Sequence, residues 1–140
     1  MAMLKAILVL ALLCGPALAD TAVIRNDGGG NVSRYIETRA KLAKLDAVRI
    51  EGKCLSACTI FTTLANACVA ASAKIGFHGT SPRVPFMQRA LDMRLGRYYR
   101  GEVQRLYLAE WRRLRGSAQF HIITGAQLHK LDPLVRLCGK

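Results

Sequence analysis

The chain has 140 residues, with 21 lysines and arginines against 9 aspartates and glutamates and a formal net charge of +12. That length holds one small domain with its own core but not two, and there is no internal repeat or low-complexity linker that would indicate an array. The surplus of positive charge directs attention to anionic surfaces as partners.

The first twenty residues, MAMLKAILVLALLCGPALAD, carry one positive charge at Lys5, an apolar run from Ala6 to Leu13, a Gly15-Pro16 breaker and then Ala17-Leu18-Ala19. This is the layout of a secretory signal peptide, residues 1–19, cleaved before Asp20. The apolar run is shorter than the roughly 20 residues a bilayer-spanning helix needs. Cys14 is not read as a lipid-anchored cysteine, because Leu13 stands where a small residue belongs. An exported protein, periplasmic or secreted, is therefore expected, with residues 20–140 as a single domain. Losing Lys5 leaves 20 basic residues against 9 acidic ones, a net charge of +11.

That domain retains Cys54, Cys58, Cys68 and Cys138. An even set in an exported chain reads as two disulfides, in any of three connectivities. C-x3-C without a companion Cys/His pair is a poor zinc pattern, so no metal or other cofactor is expected.

In chain order, Thr21 to Asn26 reads as a short strand that runs into Asp27 and the three glycines Gly28 to Gly30. NVSRYIETRAKLAKL follows as a helix with Asn31 as N-cap and Val32, Tyr35, Ile36, Leu42 and Ala43 on one face. Ala47 to Glu51 alternates as a second strand that stops at Gly52. A second helix, apolar all round and hence buried, is expected from near Ser56 through ACTIFTTLANA. Ala73 to His78 reads as a third strand ending at Gly79. Beyond Pro82 and Pro85, a helical stretch is expected from about Phe86 to Leu114, with Gly101 as a break, and GAQLHKLDPLVRL as a last short helix.

The order strand, glycine turn, helix, strand, serine turn, helix, strand amounts to two βαβ units. With all three strands parallel, Gly28–Gly30, Ser56 and His78 come to one edge of the sheet. Serine needs a base within hydrogen-bond reach to become a nucleophile. His78 is the best-placed base, since a neutral imidazole can take the hydroxyl proton and return it to a leaving group; His121 and His129 lie outside this core. A serine opening a helix also turns the next backbone N–H, that of Ala57, toward a developing oxyanion, and a glycine of the first turn can supply a second donor. Lys53 or Lys74 as partner of Ser56 ranks below His78. Two rival uses of the edge fit less well. The dinucleotide fingerprint would need a glycine where Ser33 stands and would set Asp27 against a pyrophosphate. The G-x-S-x-G elbow would need glycines where Cys54 and Cys58 stand.

These residues resemble the Clp-type serine peptidase group of the Clp/crotonase fold, and within it exported, cysteine-containing bacterial relatives. IRNDGGGNV is similar to that group's strand followed by Gly-Gly-x-hydrophobic, which implies Gly29 as an oxyanion donor. GKCLSAC is similar to its nucleophile segment, which implies Ser56 as nucleophile and Ala57 as second donor. AKIGFHG is similar to the strand ending in the catalytic histidine, here His78. The resemblance spans about Val23 to Gly79 and implies an α/β fold of repeated βαβ units with parallel strands, truncated at its N-terminus, plus C-terminal helices. Two departures stand out. The group's histidine-orienting aspartate precedes a segment like IITGAQLHKL, where this chain has Gln119-Phe120-His121, with Asp92 and Asp132 elsewhere; and only about eight residues of the domain precede the glycine turn.

Two functions follow as expectations. One is an exported serine hydrolase, a peptidase acting on a peptide or protein substrate through Ser56 and His78. The other is a catalytically silent Clp-like scaffold that binds an anionic envelope surface through the nine arginines between Arg83 and Arg115. No nucleic-acid partner is expected, and association into a homo-oligomer is left open.

Overall fold

The structure is a computed structural model that describes residues 19–139; the expected signal peptide lies outside the described residues apart from Ala19. The fold is mixed α/β around a five-stranded, mostly parallel sheet. Strand β1 (Thr21–Asp27) leads through Gly28–Gly30 into helix α1 (Val32–Leu42), whose N-cap is Asn31, its side chain accepting the Arg34 N–H at 3.1 Å. Strand β2 (Ala47–Leu55) pairs in parallel with β1 and then, along successive halves of its other edge, with β3 (Ala67–Val69) and β4 (Lys74–Phe77). Strand β5 (His121–Thr124) closes the far side antiparallel to β4.

Between β1 and β2, Ile24 pairs with Ile50 but Asn26 pairs with Lys53, so β2 carries one extra residue, a bulge at Glu51-Gly52. Only glycine fits there: a Cβ on Gly52 would lie 2.1 Å from the Arg25 carbonyl oxygen. Val48, Ile50 and Cys54 from β2 are all fully buried, together with Ile75 and Phe77 of β4 and Val69 of β3. Phe77 packs on Trp111 and Tyr99 with ring centroids 4.8 and 5.4 Å away, which ties the sheet to the second half of the chain.

Where an α-helix was expected from Ser56, the backbone forms a 3₁₀ helix, Ser56–Thr63. Three hydroxyls favour this tighter winding by bonding to carbonyls three residues back: Thr59 to Ser56, Thr62 to Thr59 and Thr63 to Ile60. Arg39 of α1 donates to the Ile60 and Thr63 carbonyls, and Tyr35 stacks on Phe61 at 5.4 Å, so α1 is fastened to this segment.

The long helix expected from Phe86 to Leu114 is two: α2 (Gln88–Gly96), preceded by a 3₁₀ turn at Pro85–Met87, and α3 (Gly101–Ala109), followed by another at Trp111–Arg113. The chain turns just before Gly101, which has φ +52°. Helix α4 (Gly125–Leu131) opens with a reciprocal capping box between Thr124 and Gln127 and stops before Asp132-Pro133, because a residue preceding proline avoids the helical region. No described helix is long and apolar enough to cross a membrane.

All four cysteines among the described residues are consumed. Cys54 pairs with Cys58 and Cys68 with Cys138, which selects one of the three connectivities. Two disulfides fit an oxidising, non-cytosolic compartment.

Candidate active site

Because β1, β2 and β4 run parallel, the turn after each opens at the same end of the sheet, and Gly28–Gly30, Ser56 and His78 line one cleft of about 830 Å³. Ser56 follows β2 directly. It is the one non-glycine described residue with positive φ, at +55°, a left-handed conformation that costs an L-residue about 1–2 kcal/mol. Three things hold it there. The Cys54–Cys58 disulfide brackets it with Cα atoms 5.3 Å apart, its carbonyl accepts the Thr59 hydroxyl at 2.7 Å, and Gly29 packs against it. A Cβ on Gly29 would lie 2.5 Å from the Ser56 Cβ, 2.7 Å from the Leu55 carbonyl oxygen and 3.1 Å from the Ala57 nitrogen, so the first turn approaches the serine as closely as only glycine allows.

The Ser56 hydroxyl lies 2.7 Å from His78 Nε2. His78 Nδ1 lies 3.1 Å from the Gly116 carbonyl oxygen, an acceptor that requires the proton on Nδ1. Nε2 is then left as the acceptor for the serine proton, the tautomer a general base needs. The imidazole also stacks on Phe120 with centroids 4.2 Å apart. Burial lowers the His78 pKa below its ordinary value, opposed by the Gly116 and Gln119 carbonyls and the Asp92 carboxylate, so the ring is neutral near pH 7.

Asp92 is fully buried but does not bond to His78. It accepts the Thr80 N–H at 2.7 Å, the Thr80 hydroxyl at 2.8 Å and Arg115 Nη2 at 3.0 Å, while Arg115 Nη1 donates to the Thr80 carbonyl at 2.7 Å. The carboxylate thus ties the chain after His78 to the chain before Gly116, the two segments that meet at Nδ1. Asp132 is further removed in role: it pairs with Arg100, Nε to Oδ2 2.9 Å. Lys53 and Lys74 are exposed partners across β2 and β4, and the Ser56 hydroxyl is bonded to His78.

Of the two expected oxyanion donors, Ala57 immediately follows the serine at the start of the 3₁₀ helix and is fully buried. The Gly29 N–H donates to Asp27 Oδ1 at 2.8 Å, and the same oxygen accepts the Tyr35 hydroxyl. The first turn can therefore offer that amide to an oxyanion only by giving up this bond. Gly116, Phe120 and the Asp92–Arg115–Thr80 cluster were not singled out as site residues by the sequence. The first acts through its backbone carbonyl, and the last through contacts between residues 12 to 35 positions apart; neither leaves a local pattern to read.

No family model matches the chain, and no curated protein matches it.

Proposed function

We propose that the protein is a serine hydrolase of the Clp-like type, exported, that works by acyl transfer. Ser56 Oγ attacks the substrate carbonyl carbon while His78 Nε2 takes its proton. The oxyanion that forms is met by the Ala57 N–H and an amide of the Gly28–Gly30 turn. His78 then passes the proton to the leaving group, and water repeats the sequence on the acyl-enzyme. The observation that carries this reading is the 2.7 Å contact between the Ser56 hydroxyl and a His78 ring whose other nitrogen faces a carbonyl. A cleft with Val32, Leu91, Met87 and Phe120 in its walls beside polar Asn31 and Ser33 suits an extended peptide, the substrate class the Clp-type resemblance implies.

The second reading, a silent Clp-like scaffold, is favoured by one specific observation: a carbonyl, not a carboxylate, faces His78 Nδ1. A carbonyl fixes the tautomer but does not neutralise the imidazolium formed during attack, and loss of that aspartate in triad enzymes costs about 10⁴ in kcat. A fluorophosphonate probe decides between them. The hydrolase reading expects slow covalent labelling of the folded protein that disappears in Ser56→Ala and in His78→Ala. A folded wild type that no such probe labels at any pH establishes the scaffold reading instead.

A further inference from the structure

The segment from Ser81 through α2 forms one rim of the cleft, with Arg83, Val84, Met87 and Leu91 among the lining residues. Its exposed surface is unusually apolar. Val84, Phe86, Met87 and Met93 are 40%, 86%, 43% and 42% exposed, half of the eight large hydrophobic side chains standing in solvent among the described residues. Phe86, Ala90 and Met93 are spaced by four and three residues across the 3₁₀ turn and α2, a spacing that lines side chains along one helix face.

The charges around this ridge are equally one-sided. Arg83, Arg89, Arg94 and Arg97 are exposed, and among the described residues no carboxylate forms an ion pair with any of them. The single acid of the stretch, Asp92, is fully buried and bonded to Thr80 and Arg115. Further along the chain, up to Arg115, four of the five arginines are used internally: Arg100 holds Asp132, Arg105 holds Glu102, Arg112 donates to the Leu108 carbonyl and Arg115 holds Asp92, while Arg113 is exposed without a carboxylate partner among the described residues. The anion-binding capacity expected of the whole stretch from Arg83 to Arg115 is thus concentrated around α2.

An apolar ridge inside a belt of guanidinium groups that lack carboxylate partners, Arg94 donating only to the Ser33 hydroxyl at 3.1 Å, complements one kind of surface: anionic headgroups above acyl chains. Arginine heads meet the phosphates while apolar side chains pass between them. A side chain as exposed as Phe86 has the disposition of an inserting anchor, making few contacts with its own protein. We propose that this rim docks the protein on an anionic lipid bilayer, with Phe86 and Val84 inserted and Arg89, Arg94 and Arg97 on the headgroups, so that the cleft mouth opens at the membrane surface. The docking is independent of whether Ser56 reacts.

Vesicle co-sedimentation of the protein recovered from an exporting host tests this. Wild type is expected to pellet with vesicles of phosphatidylglycerol and phosphatidylcholine, and not with phosphatidylcholine alone. Phe86→Asp, identical in everything N-terminal to it, is expected to lower the partition about tenfold or more, since an inserted phenyl ring is lost. Arg89→Glu with Arg97→Glu is expected to do likewise. Raising salt from about 0.1 M to 1 M, which shortens the screening length from about 10 to 3 Å, should release the protein. Ser56→Ala should bind as wild type, which separates docking from catalysis. These residues are solvent-facing, so unchanged melting temperatures will show the variants folded. Equal binding to neutral and anionic vesicles, undiminished binding of Phe86→Asp, or no binding of wild type to either vesicle would each overturn the proposal; the last would assign the ridge to a protein partner.

Discussion

Cys54–Cys58 closes four residues of chain at the C-terminal end of β2, whereas Cys68–Cys138 closes seventy and fastens β3, beside the N-terminal half of the same strand, to the segment after α4. The first is fully buried and brackets Ser56, a residue in a backbone conformation it would not choose alone. The second lies among ordinary scaffold contacts: the Val69 carbonyl accepts the Cys138 N–H, and the Arg136 guanidinium donates to the Ala67 carbonyl. The same covalent bond therefore serves opposite purposes. Short closure restricts little of the unfolded chain but dictates local geometry; long closure dictates little geometry but removes much unfolded-state freedom.

The largest separation between the two should appear in stability. On the chain-entropy account, a closure of 70 residues is worth about 4.4 kcal/mol and one of 4 residues about 2 kcal/mol. Cys68→Ala with Cys138→Ala should therefore lower the unfolding free energy by about 4 kcal/mol, measured by urea denaturation, while the protein that remains folded keeps its fluorophosphonate labelling. Loss of labelling in folded protein would show that the two ends of the sheet are coupled after all.

Removing the short bridge should reverse the pattern. Cys54→Ala with Cys58→Ala is expected to cost about 2 kcal/mol, and labelling should fall at least tenfold, because about 1–2 kcal/mol of left-handed strain at Ser56 then has one restraint fewer. Titrating stability and labelling on the same samples checks this. Labelling at the wild-type rate would mean that Gly29 and Thr59 hold the serine unaided.

The two ends also differ in how far the sequence disclosed them. The site end was legible because β1, β2 and β4 are bounded by glycine or serine turns, and parallel connection forces their C-terminal ends together; Ser56 and His78 could be paired on that ground alone. The far end was not. Strand β3 has three residues, too few to show alternation, and β5 has four, with Ile122 on its exposed side. Both exist through pairing with β2 and β4, which no local window contains. The 3₁₀ winding after Ser56 was missed because a buried apolar run looks the same in either helix; the threonine hydroxyls at positions 59, 62 and 63 were the readable signal. The group orienting His78 escaped notice for a different reason: a carbonyl on a loop is present at every residue, and only folding says which one is used.

The smallest effect, and the sharpest mark of the site end, is the dependence on pH. Burial depresses the His78 pKa below 6.5, against the pull of the Gly116 and Gln119 carbonyls and the Asp92 carboxylate and with slight help from the Arg115 charge. A protonated ring cannot accept the Ser56 proton, so labelling should fall about tenfold per pH unit below the folded pKa and be level above it, with its midpoint below 6.5 rather than at it. The same shift links to stability with a definite sign. Between 6.5 and the lower folded value the unfolded chain binds a proton that the folded chain refuses, so stability falls as pH falls through that window and is unaffected above it. His78→Gln should flatten this component of the stability profile while abolishing labelling. Cys68→Ala with Cys138→Ala should leave the labelling midpoint where it is. A midpoint at or above 6.5 would mean that His78 is more hydrated than its packing against Phe120 allows, and the site would then be an open one in solution.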